Sequence, residues 1–93
     1  MQAVNSNGET WTLQEIEEAI KKYILSEFLP GEKPEELTES TPLITGGILD
    51  SLATVKLVVF LEERFHVQIK AHETMVDYLN TITDIARLVR SKV

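Results

Sequence analysis

A serine directly behind an aspartate, Asp50-Ser51, opens a strongly apolar stretch of the chain, GGILDSLATVKLVVFLEERF at residues 46–65. A hydroxyl in that place has two uses. It can belong to the cap of the helix that the stretch predicts, because short polar side chains satisfy the N–H groups of a first turn. It can also bear a phosphodiester, because a helix N-terminus offers unpaired N–H groups and the positive end of the dipole to a phosphate. Gly46 and Gly47 just before it leave room for an enzyme to approach the backbone closely. By position alone the cap is the commoner use, and both readings stay open.

The other reactive residue types offer less. As a catalytic nucleophile Ser51 lacks its setting, since no G-x-S-x-G elbow surrounds it and the only histidines are His66 and His72. His66 falls at the end of the apolar helix, where a cation suits the dipole, and reads as a surface residue. His72 with Glu73 and Asp77 reads as an ordinary polar helix surface. The acids of residues 32–39 do not follow EF-hand ligand spacing, so no metal is expected. Without cysteine the chain has no disulfide, no thiolate nucleophile and no cysteine metal site. A small hydrolase fails for want of a base, and no enzymatic activity is expected.

The helix that begins at Ser51 has two apolar sides. At about 100° per residue, Leu57, Val58, Leu61 and Phe65 share an arc with Thr54, wide enough to face a core. Leu52, Val55 and Val59 fall roughly opposite, among Lys56, Glu62 and Glu63. A three-helix domain does not readily bury both sides of one helix. One side is therefore expected to stay accessible, and apolar groups rimmed by charge on such a face point to a docking surface. The alternative is that the preceding loop folds over Leu52 and Val55.

Other elements must position this helix. Residues 1–10 read as a disordered tail, leaving one domain over 11–93. "TLQE" predicts a capping box between Thr12 and Glu15, with Trp11 and Ile16 placed as a hydrophobic staple. Leu13, Ile16, Ile20, Tyr23, Ile24 and Phe28 repeat at helical spacing, and Pro30-Gly31 ends the run. Residues 29–49 form a long loop in which Leu37, Leu43, Ile44 and Ile48 are candidate anchors. A loop that long in a small domain tends to be functional. The second helix spans Ser51 to Phe65 with Asp50 as N-cap. A short segment is expected around "HETMVDYL", and a last helix starts at "TITD", where Thr81 and Asp84 resemble a capping box. No stretch alternates, so the class is all-α: three main helices, a short third one, and a long first loop.

Charge narrows the partners. Residues 1–63 hold 12 acids against 4 bases, whereas residues 64–93 hold 3 against 5, so the acidity lies in the front two-thirds. Nucleic-acid binding is disfavoured, because it needs a basic surface, and a partner with a basic patch is favoured. No apolar run approaches the roughly 20 residues that span a membrane. The start, MQAVNSNGETW, shows neither a basic nor an apolar leader, so a cytoplasmic location is expected.

Residues 46–65 resemble the acyl carrier protein motif, in which D-S-L opens the second helix and a Leu-Val…Leu-Glu-Glu…Phe pattern follows. The order of elements matches from about residue 12 to 91, ending in LNTITDIARLV. The resemblance implies a four-helix carrier-protein bundle. It implies that Ser51 carries 4′-phosphopantetheine, donated from coenzyme A by a phosphopantetheinyl transferase. An acyl group then rides as a thioester on the imported thiol. Asp50 and Leu52 become contacts of the transferase. Val55, Lys56, Val59, Glu62 and Glu63 become the docking face for an acyl-loading ligase or acyltransferase and for downstream acyl-processing enzymes, with the chain itself a monomer. Fatty-acid-synthesis carriers usually have acids where this chain has Ala53 and Lys56. That departure points to a specialised biosynthetic pathway, serving a polyketide, an amino acid or another dedicated acyl group. The peptidyl-carrier form differs too, with its glycine pair closer to the serine. The competing reading is an unmodified helical protein-interaction module that uses the Leu52, Val55 and Val59 face.

Overall fold

The computed structural model describes residues 4, 5 and 7–93 and is helical, as the patterning predicts. In chain order the helices are α1 (Leu13–Phe28), α2 (Ser51–Phe65), α3 (Val76–Leu79) and α4 (Ile82–Arg90), with 3₁₀ turns at Pro34–Glu36 and Ala71–Thr74. α1 packs against α4 and α2, and the short α3 leans on α4.

Local chemistry starts each long helix where expected. The Thr12 hydroxyl accepts from the Glu15 N–H at 3.2 Å while Glu15 accepts from the Thr12 N–H at 3.0 Å, a complete capping box. Of the expected tail, residues 1–3 and 6 lie outside the described residues. Asn5, in contrast, is buried, and its carboxamide donates to both Glu15 oxygens at 3.1 and 2.9 Å. The Thr12 N–H, helped by Asn5, holds the Glu15 carboxyl below its ordinary pKa. Thr81 opens α4 by accepting from the Asp84 N–H at 3.0 Å.

The core lies where the apolar stripes meet. Ile16, Ile20 and Ile24 of α1, Leu57, Leu61 and Phe65 of α2, and Ile82, Ile85 and Val89 of α4 are fully buried, each contributing about 1.5–3 kcal/mol relative to exposure. The α1 stripe is narrower than predicted. Leu13 is 38% exposed, because a first-turn side chain leans toward the N-terminus and off the end of the core. Trp11 and Ile16 are both buried, and Trp11 also sets its ring edge-on to Phe65 at 4.8 Å. Higher in the seam Tyr23 stacks on Phe60 at 4.0 Å and donates its hydroxyl to the Lys56 carbonyl at 3.1 Å. The long loop is pinned by Leu37, Leu43 and Leu49, while Ile44 and Ile48 are half-buried. His66 ends α2 in the left-handed region at φ 54°, exposed to solvent.

Candidate functional site

Ser51 is the first residue of α2 and is exposed. Asp50 supplies the cap: its Oδ1 accepts from the Ala53 N–H at 2.8 Å, and its carbonyl accepts from the Thr54 N–H at 2.9 Å and the Thr54 hydroxyl at 2.8 Å. The aspartate thus takes the capping role that residue type alone left open between the two. Among the described residues no hydrogen bond engages the Ser51 hydroxyl, which stands beside the positive end of the α2 dipole.

The approach to Ser51 is shaped by the two glycines, for reasons internal to the loop. Gly47 lies at φ 83°, where a side chain is strained. A Cβ on Gly46 would drive into the Pro42 carbonyl. The pair builds the turn that delivers the chain to Asp50, a cause the sequence reading did not anticipate.

Beyond Ser51 the second face of α2 is open. Leu52 is 65%, Val55 59% and Val59 45% exposed, with Lys56 and Glu63 exposed among them. The loop does not fold over Leu52 and Val55, because its own leucines are already buried on the core side. Glu62 stands apart from the rest of the face. It is half-buried, and its Oε2 accepts from the Ile69 N–H at 3.0 Å, so it anchors the chain leaving α2.

Sequence reasoning missed the second wall of the site. Met75 and Val76, 61% and 40% exposed, face α2 across a groove of about 790 Å³ that also takes in Ile44, Leu49, Val55 and Val59, with Asp50 and Ser51 on its border. Nothing in the spacing near residue 75 marks this, since the juxtaposition depends on how α3 packs. The groove has the apolar lining and size of a small-molecule site. The Ser51 hydroxyl thus stands at a helix N-terminus, a place that accommodates a phosphate, with an apolar trough alongside it. His72, Glu73 and Asp77 do not converge: Glu73 pairs with Lys92 at 2.8 Å and accepts from the Lys70 N–H, while the His72 ring lies against Tyr78. No helix among the described residues is long and apolar enough to cross a membrane.

Comparison with known families agrees with this geometry. A family model described as a phosphopantetheine attachment site matches residues 24–89, from the last turns of α1 through α4. The chain belongs to that family. It is a phosphopantetheine-bearing carrier protein of the acyl carrier type, whose prosthetic group is 4′-phosphopantetheine.

Proposed function

From this membership we propose that Ser51 bears the arm and that the carrier unit, residues 11–93, presents an acyl group held as a thioester on the arm's thiol. The observation that carries the reading is the division of labour at the head of α2. Asp50 takes up the cap, which leaves an exposed, uncommitted hydroxyl at a helix N-terminus beside an apolar groove. The chain has no cysteine, so the reactive thiol must be imported.

Asp50 and Leu52 flank the hydroxyl and are the proposed contacts of the phosphopantetheinyl transferase. Val55, Lys56, Val59 and Glu63 form the proposed docking face for loading and acyl-processing enzymes, with Glu62 holding the helix end behind it. Lys56 stands exposed among apolar groups on the open face of α2, and this supports a partner with an apolar patch and an acid to meet it. Such complementarity selects partners more than it adds affinity. It fits a specialised pathway better than fatty-acid synthesis. The carrier is read as a cytoplasmic monomer without catalytic activity of its own.

Intact mass spectrometry after incubation with coenzyme A and a phosphopantetheinyl transferase tests the assignment. The wild type gains the mass of one phosphopantetheine and Ser51→Ala gains none. The exposed Leu52, Val55 and Val59 also fit an unmodified interaction module. That reading predicts no mass gain and a neutral Ser51→Ala, and either result would overturn the carrier assignment at Ser51.

A further inference from the structure

Asn80 ends α3 and lies far from Ser51 in sequence, yet it holds the loop that leads to it. Its Oδ1 accepts from the backbone N–H groups of Ile44 and Thr45, each at 3.0 Å, with the Thr45 hydroxyl at 3.4 Å. Its carbonyl accepts from the Leu43 N–H at 2.6 Å. Three consecutive backbone donors are thus met by one residue. The Leu43 carbonyl in turn accepts from the Leu49 N–H at 2.9 Å, and Asp50 and Ser51 follow directly. The same loop gives Ile44 and Leu49 to the groove, and α3, which Asn80 closes, gives Val76. One side chain therefore ties the two rims of the groove together and fixes the path into α2.

We propose that Asn80 is a positioning residue for arm attachment, holding the 43–49 loop in the arrangement that the transferase meets. The proposal rests on the reading of Ser51 as the attachment site. The physical argument is one of pre-organisation. The loop runs directly into Asp50 and Ser51, so a transferase that seats over Ser51 meets its last residues, and a loosened loop must be ordered on binding. If only a fraction of the molecules holds the competent loop, apparent affinity falls by that fraction. Ser51 itself stays on α2 under the Asp50 cap, so the chemical step is spared once the complex has formed. Only an acceptor oxygen is used in these bonds, so an aspartate at position 80 can take the place of the carboxamide.

Steady-state arm transfer from coenzyme A, with the apo-chain concentration varied, tests this in wild type, Asn80→Ala, Asn80→Gln and Asn80→Asp. All are assayed well below their thermal midpoints. KM for the apo-chain is expected to rise about fivefold in Asn80→Ala, as for a loop competent in roughly a fifth of molecules, with kcat nearly unchanged. Asn80→Gln keeps the polarity but displaces the oxygen by a methylene, so it shows the same loss even if the alanine variant folds poorly. Asn80→Asp restores the wild-type KM. A lower thermal midpoint with an unchanged KM in the alanine and glutamine variants would make Asn80 merely structural and overturn the proposal. Failure of the wild type to accept the arm would overturn the Ser51 assignment and this inference together, whereas equal KM values among modified proteins overturn this inference alone.

Discussion

Substitution of Asp50 separates the cap from the chemistry at the head of α2. In Asp50→Ala the Ala53 N–H, now 2.8 Å from Oδ1, loses its acceptor, which costs about 1 kcal/mol at an N-cap. Removing an acid from the positive end of the dipole costs about 0.5 kcal/mol more. For 93 residues, an unfolding entropy of about 2.1 cal/mol/K per residue amounts to about 0.2 kcal/mol/K. The combined loss of about 1.5 kcal/mol then lowers Tm by about 8 °C. Asp50→Asn keeps an acceptor in place and loses the charge alone, so its Tm falls by only about 2–3 °C. Thermal unfolding followed by far-ultraviolet circular dichroism at neutral pH separates the two. If the asparagine variant fell as far as the alanine one, the hydrogen bond would not be the source of the effect. If both matched wild type, Asp50 would not be capping α2 in solution. Arm attachment assayed at low temperature, where all three are folded, is expected to slow in both variants, because the proposed contact with the transferase is the charge.

The turn before the site gives an ordered pair of effects. Gly46→Ala is expected to destabilise by about 1–3 kcal/mol, since its methyl meets the backbone carbonyl of Pro42, which has little room to yield. Gly47→Ala, strained only by its positive φ, costs about 1–2 kcal/mol, and denaturant titration ranks the two. Two acids should respond to pH with opposite signs. The Lys92 ammonium beside Glu73, with the Lys70 N–H, holds the Glu73 carboxyl below its ordinary pKa. Its stabilisation is therefore present above the unfolded-state pKa and is lost as pH falls through the folded value. Glu73→Gln should lower Tm at neutral pH and leave it unchanged in strong acid. Glu32 beside Glu36, through a shared hydrogen bond and like charge, holds the Glu36 carboxyl above its ordinary pKa. Ionisation therefore opposes folding above that value, and Glu36→Gln should raise Tm at neutral pH only. Differential scanning calorimetry from acid to neutral pH reads both, and the same sign in the two variants would contradict the assignment.

The residues that could be read from the chain alone are those whose partners are close in sequence. Thr12 with Glu15, Asp50 with Ala53, and Thr81 with Asp84 are caps closed within three residues, so residue type and spacing suffice to place the starts of α1, α2 and α4. The helical period alone separates Leu57, Leu61 and Phe65 from Leu52, Val55 and Val59, because opposite sides of one helix follow from the rise and turn of the backbone. The place of Ser51 at the head of that helix was legible in the same way, whereas position alone left its use open between a cap and an attachment point, and the proposal of an arm there rests on the D-S-L resemblance.

Packing decided the rest. Whether the loop would cover Leu52 and Val55 depended on which of its apolar residues reached the core first, and Leu37, Leu43 and Leu49 did. Glu62 looks like one more acid on the open face until the chain turns back after His66 and brings it the Ile69 N–H. Asn5 reads as part of a polar tail until Glu15 is set beside it. The second wall of the groove at Met75 and Val76, and the grip of Asn80 on residues 43–45, join segments that are neighbours only after α3 has settled against α4. No period or motif encodes such pairs. Their hydrogen bonds and contacts are selected by the burial of the whole core, which closes the loops between them. The sequence by itself put Ser51 forward as the proposed attachment point, and the tertiary structure determined what surrounds that residue and what holds it in place.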